Sequence, residues 1–192
     1  MIYIYHTEAN IELDLESGMK TITKEQAYDF LKEYGTPAHV IRHCEAVADV
    51  AVRVAERLNQ RGFHLDVELI ETSALLHDMA RTEEDHQTVA ANWLRERGYD
   101  DHADIIAVHM TYPSFNEADN VDETDLVCLG DRVCIEGEYK GIEQRFDYIV
   151  NKARKMAPDH IPFIESKRQI MRDFLADLEE VMGISLDELM QK

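Results

Sequence analysis

Apolar residues recur at spacings of three and four along most of the chain after residue 23. The longest such pattern runs from Ala38 to Gln60, where the apolar positions are Val40, Cys44, Val47, Ala51, Val54 and Leu58. This is the period of an α-helix that buries one face. Gly62 follows shortly and is a typical helix stop. The pattern therefore predicts a long amphipathic helix that gives one face to a hydrophobic core.

Capping residues divide the remaining sequence into further helices. Thr23-Lys24-Glu25-Gln26 is a capping box, which predicts a helix that ends near Gly35. Further helices are predicted at residues 66–79, 86–98, 102–110, 125–135, 142–156 and 162–182, with a last short one capped by Ser185. Residues 112–123 are polar and predict a loop. The fold class is therefore all-α, a helical bundle, and any strand is expected only within residues 1–18.

The first eighteen residues differ from the rest. Ile2-Tyr3-Ile4-Tyr5 and residues 11–15 alternate in part, which favours a short β-hairpin, but a disordered leader explains them equally well. We expect an N-terminal extension at residues 1–18 and one domain, with its C-terminal helices, at residues 19–192. A chain of 192 residues is long enough for one domain with a real core and short for two.

The charge of the chain limits its partners. Thirty-nine acidic and 20 basic residues give a formal net charge of −19. Such a surface repels duplex nucleic acid and anionic membranes, so neither is expected as a partner. A phosphate ester would need bound cations to reverse the local field. Three cysteines without a C-x-x-C pair, and no secretion signal or bilayer-length apolar run, favour a reducing cytoplasm.

Histidine and aspartate residues occur where the pattern is otherwise apolar. His77-Asp78 follows Ala74-Leu75-Leu76, His43 borders the stripe of the long helix, and Asp131 lies in a mostly apolar segment. A buried imidazole or carboxylate needs a partner, and a metal ion is a common one. Each residue alone is also explained as a satisfied core histidine or as half of a structural ion pair. Their order along the chain raises the weight of the metal interpretation.

This order resembles the H…HD…D motif of the HD superfamily of metal-dependent phosphohydrolases, carried here by His43, His77, Asp78 and Asp131. The flanking residues are similar too: residues 74–81 resemble the family's central helix, and Gly130-Asp131-Arg132-Val133 its last motif. The resemblance covers about residues 23–155. It implies an HD-domain helical bundle with hydrolase activity.

Two more histidines, His86 and His109, extend the resemblance to HD proteins of the H…HD…H…H…D type, many of which have two metals. The resemblance then implies that one metal is held by His43, His77 and Asp131, that a second is held by His86 and His109, and that Asp78 bridges them. The expected cofactor is a divalent transition metal (Fe, Mn, Co, Ni or Zn), two per chain, with one still open. Otherwise His86 is a solvent-exposed helix start, and His109 a helix end favoured by the helix dipole.

The implied chemistry is hydrolysis by two neighbouring cations, which lower the pKa of a bound water to about 7 and clamp phosphate oxygens. Asp78 would position that water, and Arg81 would assist in catalysis. The candidate substrate-binding residues are the basic ones near the ligands, Arg81, Arg132, Arg42 and Lys140, for which ion pairing on the surface is an equally good explanation. His39 lies four residues before His43 on the same helix face, so it either supports that ligand or is the exposed start of the helix, which is slightly favoured. The remaining histidines are expected in solvent: His6, His64, His102 and His160.

The expected substrate is a small phosphate ester, such as a nucleotide or a dinucleoside polyphosphate. Bacterial HD hydrolases of diadenosine tetraphosphate have the same ligand order, whereas the Gly-Tyr-Pro signature of the cyclic-di-GMP branch is missing at Tyr112-Pro113. An HD-type di-iron oxygenase is the first alternative, because it uses the same ligand set. A non-catalytic regulatory HD domain is the second, and the complete ligand set argues against it. The oligomeric state is undetermined.

Overall fold

The structure, a computed structural model, describes residues 20–110 and 114–191. Within them the helices are α1 (Lys24–Tyr34), α2 (Ala38–Asn59), α3 (Val67–Leu76), α4 (His86–Arg95), α5 (Asp100–Val108), α6 (Glu123–Asp131), α7 (Gly141–Met156), α8 (Ile161–Met182) and α9 (Leu186–Met190). A 3₁₀ turn at Pro158–His160 precedes α8, and a hairpin of β1 (Cys134–Ile135) and β2 (Glu138–Tyr139) joins α6 to α7. The all-α prediction is therefore confirmed.

Helix α2 is the centre of the fold. Its apolar stripe is buried as predicted, from Val40 to Leu58. It packs against α3 and α6, and α3 in turn packs against α1, α5 and α6. The helices that carry the candidate ligands therefore meet around one core. Helix α1 begins at the expected capping box, in which Thr23 and Gln26 each accept a hydrogen bond from the backbone N–H of the other.

Gly130 allows α6 to approach α2 closely. A Cβ atom at this position would lie 2.8 Å from the carbonyl oxygen of Val47 and 3.0 Å from its Cγ1. Gly130 has no such atom, so the two helix backbones can touch here. Asp131 is the next residue of α6, and His43 lies one turn before Val47 on α2. The glycine therefore brings these two side chains within reach of each other.

The hairpin after α6 corrects two predictions. The sixth helix ends at Asp131, not at residue 135, and the expectation that strand occurs only in residues 1–18 is wrong. Cys134 pairs with Tyr139 and Ile135 with Glu138 in an antiparallel ladder. The two residues between the strands, at 136 and 137, have φ of 50° and 92°. Such left-handed turn residues match the twist of a two-residue hairpin, which reverses the chain before α7.

Other helix ends differ from the predictions by a few residues. α3 ends at Leu76 rather than at residue 79, so the His77-Asp78 pair lies in the turn that follows it. α4 ends at Arg95 instead of 98, and α5 begins two residues earlier than predicted, at Asp100. α6 begins at Glu123, two residues before the predicted start. The predictions for residues 1–18 fall outside the described residues. No described helix is long and apolar enough to cross a membrane.

Candidate metal centre

Three side chains, from α2, from the turn after α3 and from α6, converge in the core. His43, His77 and Asp131 each offer a ligand atom, and these atoms lie within 4.8 Å of one another. His43 Nε2 is 3.1 Å from Asp131 Oδ1. His77 is fully buried, and the side chains of His43 and Asp131 are each 14% exposed. The structure thus brings together the three residues expected around the first metal.

A second group adjoins the first and shares His77 with it. His77, Asp78 and His109 again have ligand atoms within 4.8 Å of one another. His86 Nε2 lies 3.0 Å from Asp78 Oδ1 and 3.3 Å from His109 Nε2. All six predicted candidate ligands are therefore in one cluster. The shared member is His77, whereas the resemblance gives the bridging position to Asp78, whose Oδ1 is turned toward His86 and His109.

Backbone carbonyls fix the orientation of two of these rings. His77 Nδ1 donates to the Ala74 carbonyl at 2.7 Å, and His109 Nδ1 donates to the Ile106 carbonyl at 2.7 Å. A neutral imidazole that carries its proton on Nδ1 has a bare, basic Nε2. This is the contact that commonly orients metal-binding histidines in proteins. Both Nε2 atoms therefore face the cluster as electron-pair donors.

The cluster leaves buried polar atoms without hydrogen bonds. Among the described residues, His77 Nε2 and Asp78 Oδ1 are both buried and without a hydrogen-bond partner. Burying such atoms unpaired is costly, and a cation among them would satisfy both at once. Nitrogen and carboxylate donors of this kind suit divalent transition metals. The residues present therefore fit a metal centre.

The electrostatics keep the donors in the forms that bind metal. Burial lowers the pKa of His77 to about 4, so its imidazole is neutral at pH 7. Burial alone would raise the pKa of Asp78, but His77, His109, His86 and Arg81 outweigh it and hold this pKa well below its usual range. The pKa of Asp131 is likewise well below its usual range, because His43 and Arg145 oppose the effect of burial. Neutral imidazoles and ionised carboxylates are the species that coordinate cations.

Two arginines accompany the two carboxylates. Arg81 Nε is 3.6 Å from Asp78 Oδ2, and Arg81 Nη1 is 3.1 Å from His86 Nε2. Arg145 Nη2 is 3.4 Å from Asp131 Oδ1. With neutral histidines, the charges of these two carboxylates and two guanidinium groups cancel. Any bound divalent cation would therefore make the cluster locally positive, in a chain of net charge −19.

The predicted substrate-binding residues have different surroundings. Arg81 contacts the cluster and its side chain is 43% exposed. Arg132 instead donates to the carbonyls of Cys128 at 2.9 Å and His109 at 3.1 Å, so it joins α6 to the end of α5. Arg42 is exposed on α2, and Lys140 pairs with Glu138 on the hairpin. Of the four, Arg81 is the one whose side chain contacts the side chains of the candidate ligands.

Sequence reasoning misplaced one histidine and missed one arginine. His102 is 1% exposed, not in solvent, because its Nε2 pairs with the Thr72 hydroxyl at 3.0 Å. Its position in the first turn of α5 gave no sign of this. Arg145 lies on α7, outside every motif, and no local pattern distinguishes it from the other basic residues. The exposed positions predicted for His39, His64 and His160 are confirmed, and His6 lies outside the described residues.

A helical core built around converging His and Asp side chains defines a class of metal-binding helical domain. The family model of the HD domain matches residues 40–134, and this segment is an HD domain. The matched segment contains all six candidate ligands. This domain places the matched segment in a superfamily of metal-dependent hydrolases.

Two curated relatives match over part of their length. An uncharacterized protein of Methanocaldococcus jannaschii is 36% identical over 86 residues, which are 43% of this chain and 50% of the relative. A tRNA (cytidine(56)-2'-O)-methyltransferase of Thermoplasma volcanium is 35% identical over 97 residues, 48% of this chain and 27% of the relative. The alignments thus span half of the first protein and about a quarter of the second. No solved structure matches the chain.

Proposed function

We propose that the chain is a metal-dependent phosphohydrolase that acts on a small phosphate ester, with a nucleotide or dinucleoside polyphosphate as the preferred class. The observation that carries the proposal is the pair of buried, unpartnered donor atoms, His77 Nε2 and Asp78 Oδ1, inside a cluster of four histidines and two aspartates. The ion pairs of Asp78 Oδ1 with His86 and His109 leave this oxygen without a hydrogen bond. A cation bound between His77 Nε2 and Asp78 Oδ1 would satisfy both of these lone-pair atoms.

In this proposal the six side chains divide between two cations. His43, His77 and Asp131 would hold one, His86 and His109 would hold the other, and Asp78 would be shared by both. Bound divalent cations of this kind supply an activated water near neutral pH and neutralise charge on the phosphate. Asp78 would also orient the attacking water.

Arg81 is proposed to bind a phosphate oxygen of the substrate and to stabilise the charge that develops during the reaction. Its side chain is 43% exposed and lies against both Asp78 and His86, so it can reach solvent and the cluster. A guanidinium group can donate two parallel hydrogen bonds to a phosphate. The cancelling charges of the cluster support an anionic substrate, because the cations then contribute a net positive charge.

A substrate and metal screen tests the proposal. Metal-free protein would be reloaded with manganese, iron, cobalt or nickel, and offered nucleotides, diadenosine tetraphosphate and p-nitrophenyl phosphates, with and without air. Phosphate release that does not need dioxygen is the expected result. Turnover only in air would favour a di-iron oxygenase instead. Metal-loaded protein without turnover on any phosphate ester would contradict the proposal and favour a regulatory domain.

Matched variants connect the activity to the cluster. Asp78→Ala should lose most of the bound metal by elemental analysis, because it removes the carboxylate that both cations would share. His39→Ala is the control, since this histidine lies on the same helix as His43 but is exposed. It should retain both metal and activity. Unchanged metal content in Asp78→Ala would refute the assignment.

The number of metals needs a separate measurement. Calorimetric titration of metal-free protein with manganese or iron, without oxygen, should saturate at two equivalents per chain. His109→Ala should approach one equivalent while the fold survives, and should reduce turnover about a thousandfold or more, because the loss removes stabilisation specific to the transition state. Saturation of the native protein at one equivalent would contradict the dinuclear centre.

A further inference from the structure

Arg145 is a largely buried cation beside the candidate metal centre. It lies in the second turn of α7, beyond the segment that matches the HD family, which ends at residue 134. Its side chain is 18% exposed, compared with 43% for Arg81. Its Nε atom is buried without a hydrogen-bond partner. A guanidinium group in this position needs a strong anionic neighbour to offset the loss of hydration.

Asp131 is that neighbour. Arg145 Nη2 lies 3.4 Å from Asp131 Oδ1, and His43 Nε2 lies 3.1 Å from the same oxygen. Asp131 Oδ1 on α6 is therefore contacted from two other helices, by Arg145 of α7 and by His43 of α2. A carboxylate held at one oxygen from two sides loses much of its freedom to rotate.

We infer that Arg145 is a positioning residue for Asp131: it fixes the orientation of this carboxylate and so sets the affinity of the His43–His77–Asp131 group for its cation. The inference rests on the proposed metal-dependent function. Two effects of Arg145 oppose each other, because its positive charge repels a cation while its contact orients the ligand. The contact is direct and shared with His43, so orientation is expected to dominate. Loss of a partner that orients a metal ligand typically weakens metal binding about tenfold to a hundredfold.

The test is the manganese affinity of metal-free protein, measured by calorimetry without substrate. Arg145→Met removes both the charge and the donor and keeps most of the apolar stem. Arg168→Met is a matched control, because Arg168 is an 11% exposed arginine of α8 that pairs with Asp147 at 2.8 Å. Arg145→Met should weaken manganese binding at this group about tenfold or more. Arg168→Met should leave the affinity unchanged even where it lowers the melting temperature.

Arg145→Lys separates orientation from charge. Lysine keeps the charge but lacks the planar fork, so it should weaken binding by a smaller factor than methionine does. If Arg145→Met does not fold, Arg145→Lys alone provides the test, and wild-type affinity in that variant would overturn the inference. Equal or tighter binding by folded Arg145→Met would overturn it as well, because Arg145 would then act only as a counter-charge. Failure of the wild-type protein to bind manganese or any other divalent transition metal would instead overturn the proposed function.

Discussion

The close contact of α6 with α2 makes Gly130→Ala an informative change. An alanine Cβ would lie 2.8 Å from the Val47 carbonyl oxygen, whereas ordinary contacts begin at 3.4 Å. The two backbones must therefore separate by about half an ångström, and overpacking of this kind destabilises by roughly 1–3 kcal/mol. The higher helix propensity of alanine returns about 1 kcal/mol. The net loss of stability is expected to be about 0–2 kcal/mol.

The same separation should affect the metal centre more than the fold. His43 and Asp131 lie on the two helices that are pushed apart, and their 3.1 Å contact is the closest one in the first group. We expect Gly130→Ala to weaken manganese binding at this group, measured by calorimetry on metal-free protein, with a melting temperature within several degrees of the wild type. Far-ultraviolet circular dichroism would check that the helices are intact.

A second substitution shows whether the backbone or the side chain of Val47 is responsible. Val47→Ala removes Cγ1, which lies 3.0 Å from the added Cβ, but leaves the carbonyl at 2.8 Å. Gly130→Ala should therefore lower manganese affinity in a Val47→Ala background almost as much as it does in the wild type. A Gly130→Ala protein that is about 1 kcal/mol more stable than wild type, with unchanged manganese affinity, would refute the reasoning, because helix propensity alone would then explain the change.

Further changes test other parts of the structure. Burial lowers the pKa of His102 to about 4, so folding stability that is present above pH 6.5 should fall as pH drops from 6.5 toward 4, by on the order of 3 kcal/mol. Melting curves of His102→Gln should show a weaker pH dependence than those of the wild type, and an equal dependence would count against this. Glu136→Asn should stabilise the hairpin by a few tenths to about 1 kcal/mol, because asparagine tolerates the φ of 50° better than glutamate. A lower denaturation midpoint would contradict the left-handed conformation of residue 136. Arg132→Met should lower the free energy of unfolding in urea by about 1–3 kcal/mol, because it removes the hydrogen bond to the His109 carbonyl. An unchanged free energy of unfolding would refute the role of Arg132 in joining α6 to α5.

The helices were predictable because their signals are local. The stripe of α2 and the capping box at Thr23 need only neighbouring residues to be recognised. The hairpin between α6 and α7 was not, because each strand has two residues and the turn is Glu136-Gly137 rather than the Asn-Gly or Asp-Gly pairs typical of hairpins. Its pairing depends on how the flanking helices fold back on each other.

The candidate ligands were predictable for a different reason. His43 and Asp131 are 88 residues apart, and periodicity alone would not have paired them. The order of the motif, which the HD resemblance carries, placed them in one cluster. Arg145 has no such motif, and its contact with Asp131 exists only because the hairpin returns the chain to α6. The burial of His102 depends in the same way on the approach of α3, which supplies Thr72.

The segment that matches the HD domain ends at residue 134. The parts of the site before and after this residue could change independently in evolution. All six candidate ligands lie before it, within the matched segment, whereas Arg145 enters with the helix after it. An exchange of the C-terminal helices between related proteins would therefore preserve the ligand set and alter the charge that faces it. Relatives that share the motif residue for residue would then differ in metal affinity, and the identity of the ligands alone would not reveal it.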